Sequence, residues 1–84
     1  MAQAHNVTLH VPGLDADQAG QLDAELDDAK VTFEDLGATV TSTRVETTIR
    51  AAKPATAGAR AATAVSDALR RIGILTWVPT WSVG

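Results

Sequence analysis

Residues 6–11, Asn-Val-Thr-Leu-His-Val, alternate between polar and apolar side chains. Val7, Leu9 and Val11 fall on one side and Asn6, Thr8 and His10 on the other, a period of two that predicts a half-buried strand. Pro12-Gly13 ends it, because proline lacks the N–H that a ladder uses and glycine permits a sharp turn. Beyond Asp15 the apolar step changes to three and four. Ala19, Leu22, Leu26, Ala29, Phe33 and Leu36 then form one helical face. Asp15 or Asp17 supplies a cap, and acids in the early turns suit the positive end of the helix dipole. With Gly37 placed as a C-terminal stop, the spacing predicts a helix over 15–36. A second reading ends the helix near Ala29, makes Lys30–Glu34 a strand because Val31-Thr32-Phe33 is β-prone, and turns the chain at Asp35-Leu36-Gly37.

Residues 38–52 are dense in β-branched side chains and hold neither Gly nor Pro. Their inward parity switches between Val40 and the set Val45, Thr47, Ile49, Ala51, and a switch requires a turn or a bulge. Two strands are expected, about 38–43 and 46–52, joined by a tight turn near Arg44–Glu46. Pro54 then opens a second helix, where a missing N–H costs nothing. Its face runs Gly58, Ala61, Ala62, Val65, Ala68, Leu69, Ile72, and it stops at Arg70-Arg71 and Gly73. Residues 74–83 read as a last strand interrupted by Pro79, the mark of an edge or a bulge.

The order β-α-β-β-α-β over a single domain, residues 1–84, predicts an α+β fold. Its simplest form is the ferredoxin-like two-layer sandwich: a four-stranded antiparallel sheet with two helices on one face. The strand order expected there is 4-1-3-2, which puts the first and third strands in the centre and the Trp-bearing strand on an edge.

Composition narrows the class. Large apolar residues are few against sixteen alanines, so the core of this 84-residue chain is thin. With no cysteine there is no disulfide and no thiolate ligand or nucleophile. Oligomerisation is the remaining common support for so small a body, and a homodimer is the expected state. The opening MAQAHNVTLH has no basic or apolar signal region, and no run reaches the roughly 18–20 apolar residues of a membrane span. The expected setting is therefore cytoplasmic, and the Arg and Ala usage suggests a bacterial or phage source. The net charge of −3 hides an asymmetry, −7 over residues 1–43 and +4 over residues 44–84. It reads as solvated helix faces, with opposed charged faces as the alternative.

Catalytic chemistry finds little support. His5 and His10 lie on opposite strand faces, with no further His or Cys to complete a metal site. The neighbours Asp27-Asp28 and Glu34-Asp35 read as a solvated surface, and Ser42, Ser66 and Ser82 sit in no nucleophile motif. Glycines are scattered and build no phosphate loop. The expectation is a protein that is not an enzyme and uses no metal or cofactor. Nucleic-acid binding is a third reading only. Arg44, Arg50 and Lys53 could form a small basic patch, but three charges hold phosphate weakly and His10 alone could stack on a base. The threonines at 39, 41, 43, 47 and 48 read as strand formers.

The most informative exposed feature is Trp77 and Trp81, which share strand parity with Leu75 and Val83. Trp77, Trp81 and Leu75 are expected to form a contact patch on the open side of the sheet, with Ile74, Thr76 and Val78 as the inward set against the Ala-rich second helix; the alternative places the indoles in the core. The leading expectation is thus a small protein-interaction or regulatory module that pairs with a second copy, or with another protein, through this rim. Val11-Pro12-Gly13-Leu14 adds a second expectation. This turn resembles the one between the first strand and first helix of ACT domains, regulatory βαββαβ modules that bind amino acids at dimer interfaces. The likeness covers four residues and implies a ligand site at His10, Pro12 and Gly13. An ACT domain usually holds the ligand amine with an acid or Asn just before the turn, whereas His10 stands there in this chain.

Overall fold

Alternation at the start of the chain builds strand β1, Gln3–His10, with Val7 and Leu9 buried and Asn6 and His10 exposed. A computed structural model describes residues 2–29 and 35–84. Helix α1 runs Ala16–Ala29, strands β2 and β3 run Asp35–Val40 and Arg44–Ala51, helix α2 runs Pro54–Arg71, and strand β4 is Trp81–Val83. The four strands form one antiparallel sheet in the order β2-β3-β1-β4. This is the ferredoxin-like α+β sandwich, with β1 and β3 at its centre. Among the described residues no helix is long and apolar enough to cross a membrane.

Parity along the central strands sets the layers. Val7 and Leu9 on β1, and Val45, Thr47, Ile49 and Ala51 on β3, turn toward the helices and are buried. Leu22 and Leu26 of α1 meet them, as do Ala57, Ala61, Val65, Ala68 and Leu69 of α2. Small side chains over the first half of α2 let its backbone lie close to the sheet, so a core poor in large residues is still filled. The opposite face carries Asn6, Thr8, Glu46 and Thr48, and the Thr48 hydroxyl donates to Asn6 Oδ1 at 2.9 Å.

Helix ends follow local chemistry. Asp15 Oδ1 accepts the Gln18 N–H at 2.7 Å while the Asp15 N–H donates to Gln18 Oε1 at 3.1 Å, a reciprocal capping box. Replacing Asp15 with Ala is expected to cost about 1 kcal/mol, read as a lower denaturation midpoint with unchanged slope. At the other end of α2, the N–H of Ile74 donates to Leu69 O and that of Gly73 to Arg70 O. Gly73 has φ +92°, so this is a Schellman stop that uses the freedom of glycine.

Three expectations are corrected. The first helix does not reach residue 36: α1 ends at Ala29, and Asp35 and Leu36 belong to β2. Helical spacing continues through those positions in the sequence, but the ladder to β3, which pairs Asp35 with Ile49 and resumes at Gly37↔Thr48, holds this stretch extended. The alternative turn at Asp35-Leu36-Gly37 is also absent, replaced by a bulge between Asp35 and Gly37 inside the strand. Lys30–Glu34, the strand of that second reading, lies outside the described residues.

The hairpin does not turn at Arg44–Glu46 but three residues earlier. Thr41 Oγ1 accepts the N–H groups of Thr43 at 3.4 Å and Arg44 at 3.2 Å, and Thr41 N donates to Arg44 O at 2.9 Å. One hydroxyl thus organises the reversal without an Asn-Gly pair. The last strand, finally, is three residues long and does not cover 74–83. His10 N still donates to Thr80 O at 3.0 Å, but the His10 carbonyl accepts the indole N–H of Trp77 at 2.8 Å. A side chain occupies the acceptor that the next rung would need, and Pro79 beside it has no N–H to offer.

Candidate functional site

Two concavities flank the segment 74–80. The first opens at the carboxyl end of β1. Proline at position 12 and a left-handed glycine, Gly13 at φ +80°, turn the chain from β1 toward α1 and carry Leu14 back into the core. The turn is tied down where Val11 N donates to Thr43 O and Leu14 N to Ser42 O. Gln18, in the first turn of α1, forms one side and Ile74, Thr76, Trp77, Val78 and Thr80 the other. The enclosed volume is about 490 Å³. Trp77 is half-buried against the core, and its bond to His10 O holds the indole in place. His10 lies at the same opening, so His10, Pro12 and Gly13 all border this cavity, as does Trp77.

The second concavity, about 520 Å³, lies between α2 and the chain at Pro79–Trp81. Leu9↔Trp81 and Val7↔Val83 are cross-strand pairs, so Trp81 and Val83 share the helix-facing side of the sheet with Leu9 and Val7. The Trp81 indole lies against Gly58, where an added Cβ would overlap Nε1 and Cδ1 of the ring. Thr63, Ser66, Asp67 and Arg70 of α2 line the same concavity. Trp81 remains 40% exposed, and Leu75 and Val78 are each 74% exposed. Trp77, Trp81 and Leu75 therefore do not make one patch on the open sheet face. Parity stops governing side-chain direction once residues 74–80 leave the strand, and each indole has its own surroundings.

The basic residues are spread rather than gathered. Arg44 and Arg50 stand at opposite ends of β3, six residues apart or roughly 20 Å along a strand. Arg44 Nε lies 3.6 Å from Glu46 Oε1. Arg50 and Lys53 share the other end of the sheet with Arg60, whose Nη1 donates to Arg50 O at 2.8 Å. His5 hydrogen-bonds through Nε2 to Ala51 O at 3.1 Å, which gives it a structural role across β1 and β3. Among the described residues, no three His, Cys, Asp or Glu side chains gather as a metal site.

Gln18, Thr76 and Val78 in the first concavity, and Gly58, Asp67 and Arg70 in the second, were not among the residues singled out from sequence. The pattern Asp15-x-x-Gln18 was a legible signal for Gln18, because a capping box places that side chain beside the preceding turn. Nothing in the local pattern around Gly58 reveals that an indole 23 positions later rests on it. Comparison with known proteins finds no family model, no curated relative and no solved structure that matches the chain.

Proposed function

We propose that the protein is a small non-catalytic interaction module that acts as a homodimer, joined along the outer edge of β4. The observation that carries this reading is the placement of exposed apolar groups. Among the described residues, the large exposed hydrophobics are Leu75, Val78 and Trp81, all within seven positions of one another and next to a free sheet edge. Edges of this kind pair readily with another strand unless they are covered.

The register supports a second copy as the occupant. Thr80 O and Gly84 N bond to β1, so the even-numbered residues of this strand face inward along the ladder. The backbone groups of Trp81 and Val83 then point away from β1. A two-fold axis at Ser82 would pair Trp81 with Val83 of the second copy and Val83 with its Trp81, giving four main-chain bonds and two aromatic–β-branched contacts. The same axis brings the two α2 helices together antiparallel. Asp67 and Arg70, one helical turn apart beside Trp81, make no ion pair with any of the described residues and would meet their opposites reciprocally.

Light scattering on the eluting protein tests this reading. The wild type is expected to be a dimer at tens of micromolar. Ser82→Lys sets two like charges face to face at the axis, and Asp67→Arg replaces attraction with repulsion; each is expected to weaken association at least tenfold. Combining Asp67→Arg with Arg70→Asp restores the pairing with reversed sign and should recover the dimer. A monomeric wild type, or a dimer indifferent to all three variants, removes the proposal.

A further inference from the structure

We infer that the cavity at the turn between β1 and α1 binds a small neutral molecule with an aromatic or branched apolar body and a hydrogen-bond acceptor. This site shares Val78 with the exposed apolar set beside β4, and the rest of its lining is its own. Its floor is made by Val11 and Leu14, both buried, and one wall is the Trp77 indole. That ring is already fixed by its bond to His10 O, so little ordering is left for a ligand to impose. The volume of about 490 Å³ suits a small organic molecule.

The charge of the ligand follows from what the wall lacks. Among the described residues no Asp, Glu, Lys or Arg lines the cavity, and His10 at its mouth is the one ionisable side chain there. An ammonium entering it would shed hydration and meet no carboxylate, and a carboxylate would meet no Lys or Arg among the described residues. The nearby start of α1 offers no anion site either, because the Asp15 carboxylate already takes the Gln18 N–H there. A zwitterionic amino acid is disfavoured on both its ends.

The polar groups fix the acceptor. Gln18 Oε1 is committed to the Asp15 N–H, and its amide NH₂ makes no hydrogen bond with the described residues. The Thr76 hydroxyl is likewise unengaged. Both border the cavity, so a carbonyl or hydroxyl oxygen on the ligand has donors waiting beside an apolar wall.

Three probes of one shape and different charge decide the question: benzamide, benzoate and benzamidinium, with phenylalanine as the zwitterion. Each is titrated into ¹⁵N-labelled protein while the Trp77 indole N–H, the Gln18 side-chain amide and the Gly13 amide are followed. Benzamide is expected to shift all three, at low millimolar concentration, and to bind at least tenfold more tightly than the other probes. Gln18→Glu keeps the oxygen that caps Asp15 but loses the NH₂ donor and adds a charge, and Val78→Glu puts a charge at the rim. Each should weaken benzamide binding at least tenfold while the remaining spectrum stays folded. No benzamide shifts at its solubility limit, equal or tighter binding of phenylalanine or a charged probe, or full binding to both variants would overturn the inference. The ranking of the probes and the Gln18→Glu outcome do not depend on whether the protein is dimeric, because Gln18 lies on α1, away from β4.

Discussion

Alanine in place of Leu9 is expected to lower the free energy of unfolding by about 3–4 kcal/mol. Leu9 is fully buried in β1, an inner strand of the sheet, and its cross-strand partners are Val45 on one side and Trp81 on the other. Truncation removes its own transfer energy and leaves a hole that a sheet held by ladders on both sides cannot close. A domain of this length is stabilised by roughly 4–13 kcal/mol, so the loss takes a large share of the total. Urea denaturation followed by far-ultraviolet circular dichroism should show a lower midpoint with the slope preserved. Leu9→Met, which conserves volume, is expected to cost less than about 1.5 kcal/mol. A loss below about 1 kcal/mol for Leu9→Ala would mean that the core is not built around this position.

The second large effect is a reversal of sign at Gly58. Glycine inside a helix is ordinarily a weakness, and Ala there would gain about 0.5–1 kcal/mol. Here the added methyl overlaps the Trp81 indole, a rigid ring that has to swing off α2 to make room. Gly58→Ala is therefore expected to destabilise the wild-type protein by about 1–3 kcal/mol. Trp81 emission should shift to longer wavelength, read with Trp77 replaced by Phe or by comparison with Trp81→Phe. In a Trp81→Ala background the obstacle is gone, and the same Gly58→Ala change should stabilise. The double-mutant cycle isolates this coupling. Additive effects in the two backgrounds would show that the ring does not rest on Gly58. The result also bears on association, since a displaced Trp81 would no longer present its ring beside β4 to a second copy.

Much of the fold was legible where one residue reports on its neighbours. Alternation placed Val7 and Leu9 inward, and the set Val45, Thr47, Ile49, Ala51 was read with the parity it has in β3. Pro54 and Gly73 marked both ends of α2 through the backbone properties of those two residues. The turn at Pro12-Gly13 was visible for the same reason, and with it part of the lining of the first cavity. The hairpin turn was harder, because Thr41 performs with a hydroxyl what turn-forming residue pairs do with backbone freedom.

The indoles were legible as important but not as placed. Trp77 looked like a strand residue and instead bonds the His10 carbonyl, 67 positions earlier in the chain. Trp81 looked like an outward group and stands on the helix side, against a glycine whose role no neighbouring residue announces.

By itself the sequence determined which face of β1, β3 and α2 is apolar, where α2 begins and ends, and the order of strands and helices. Tertiary structure alone decided where α1 stops, how short β4 is, and what each tryptophan touches. The reason is physical: periodicity and capping depend on residues within a turn or two of each other. The end of a strand or the seat of a ring depends on which distant backbone group or side chain competes for the same bond or the same space.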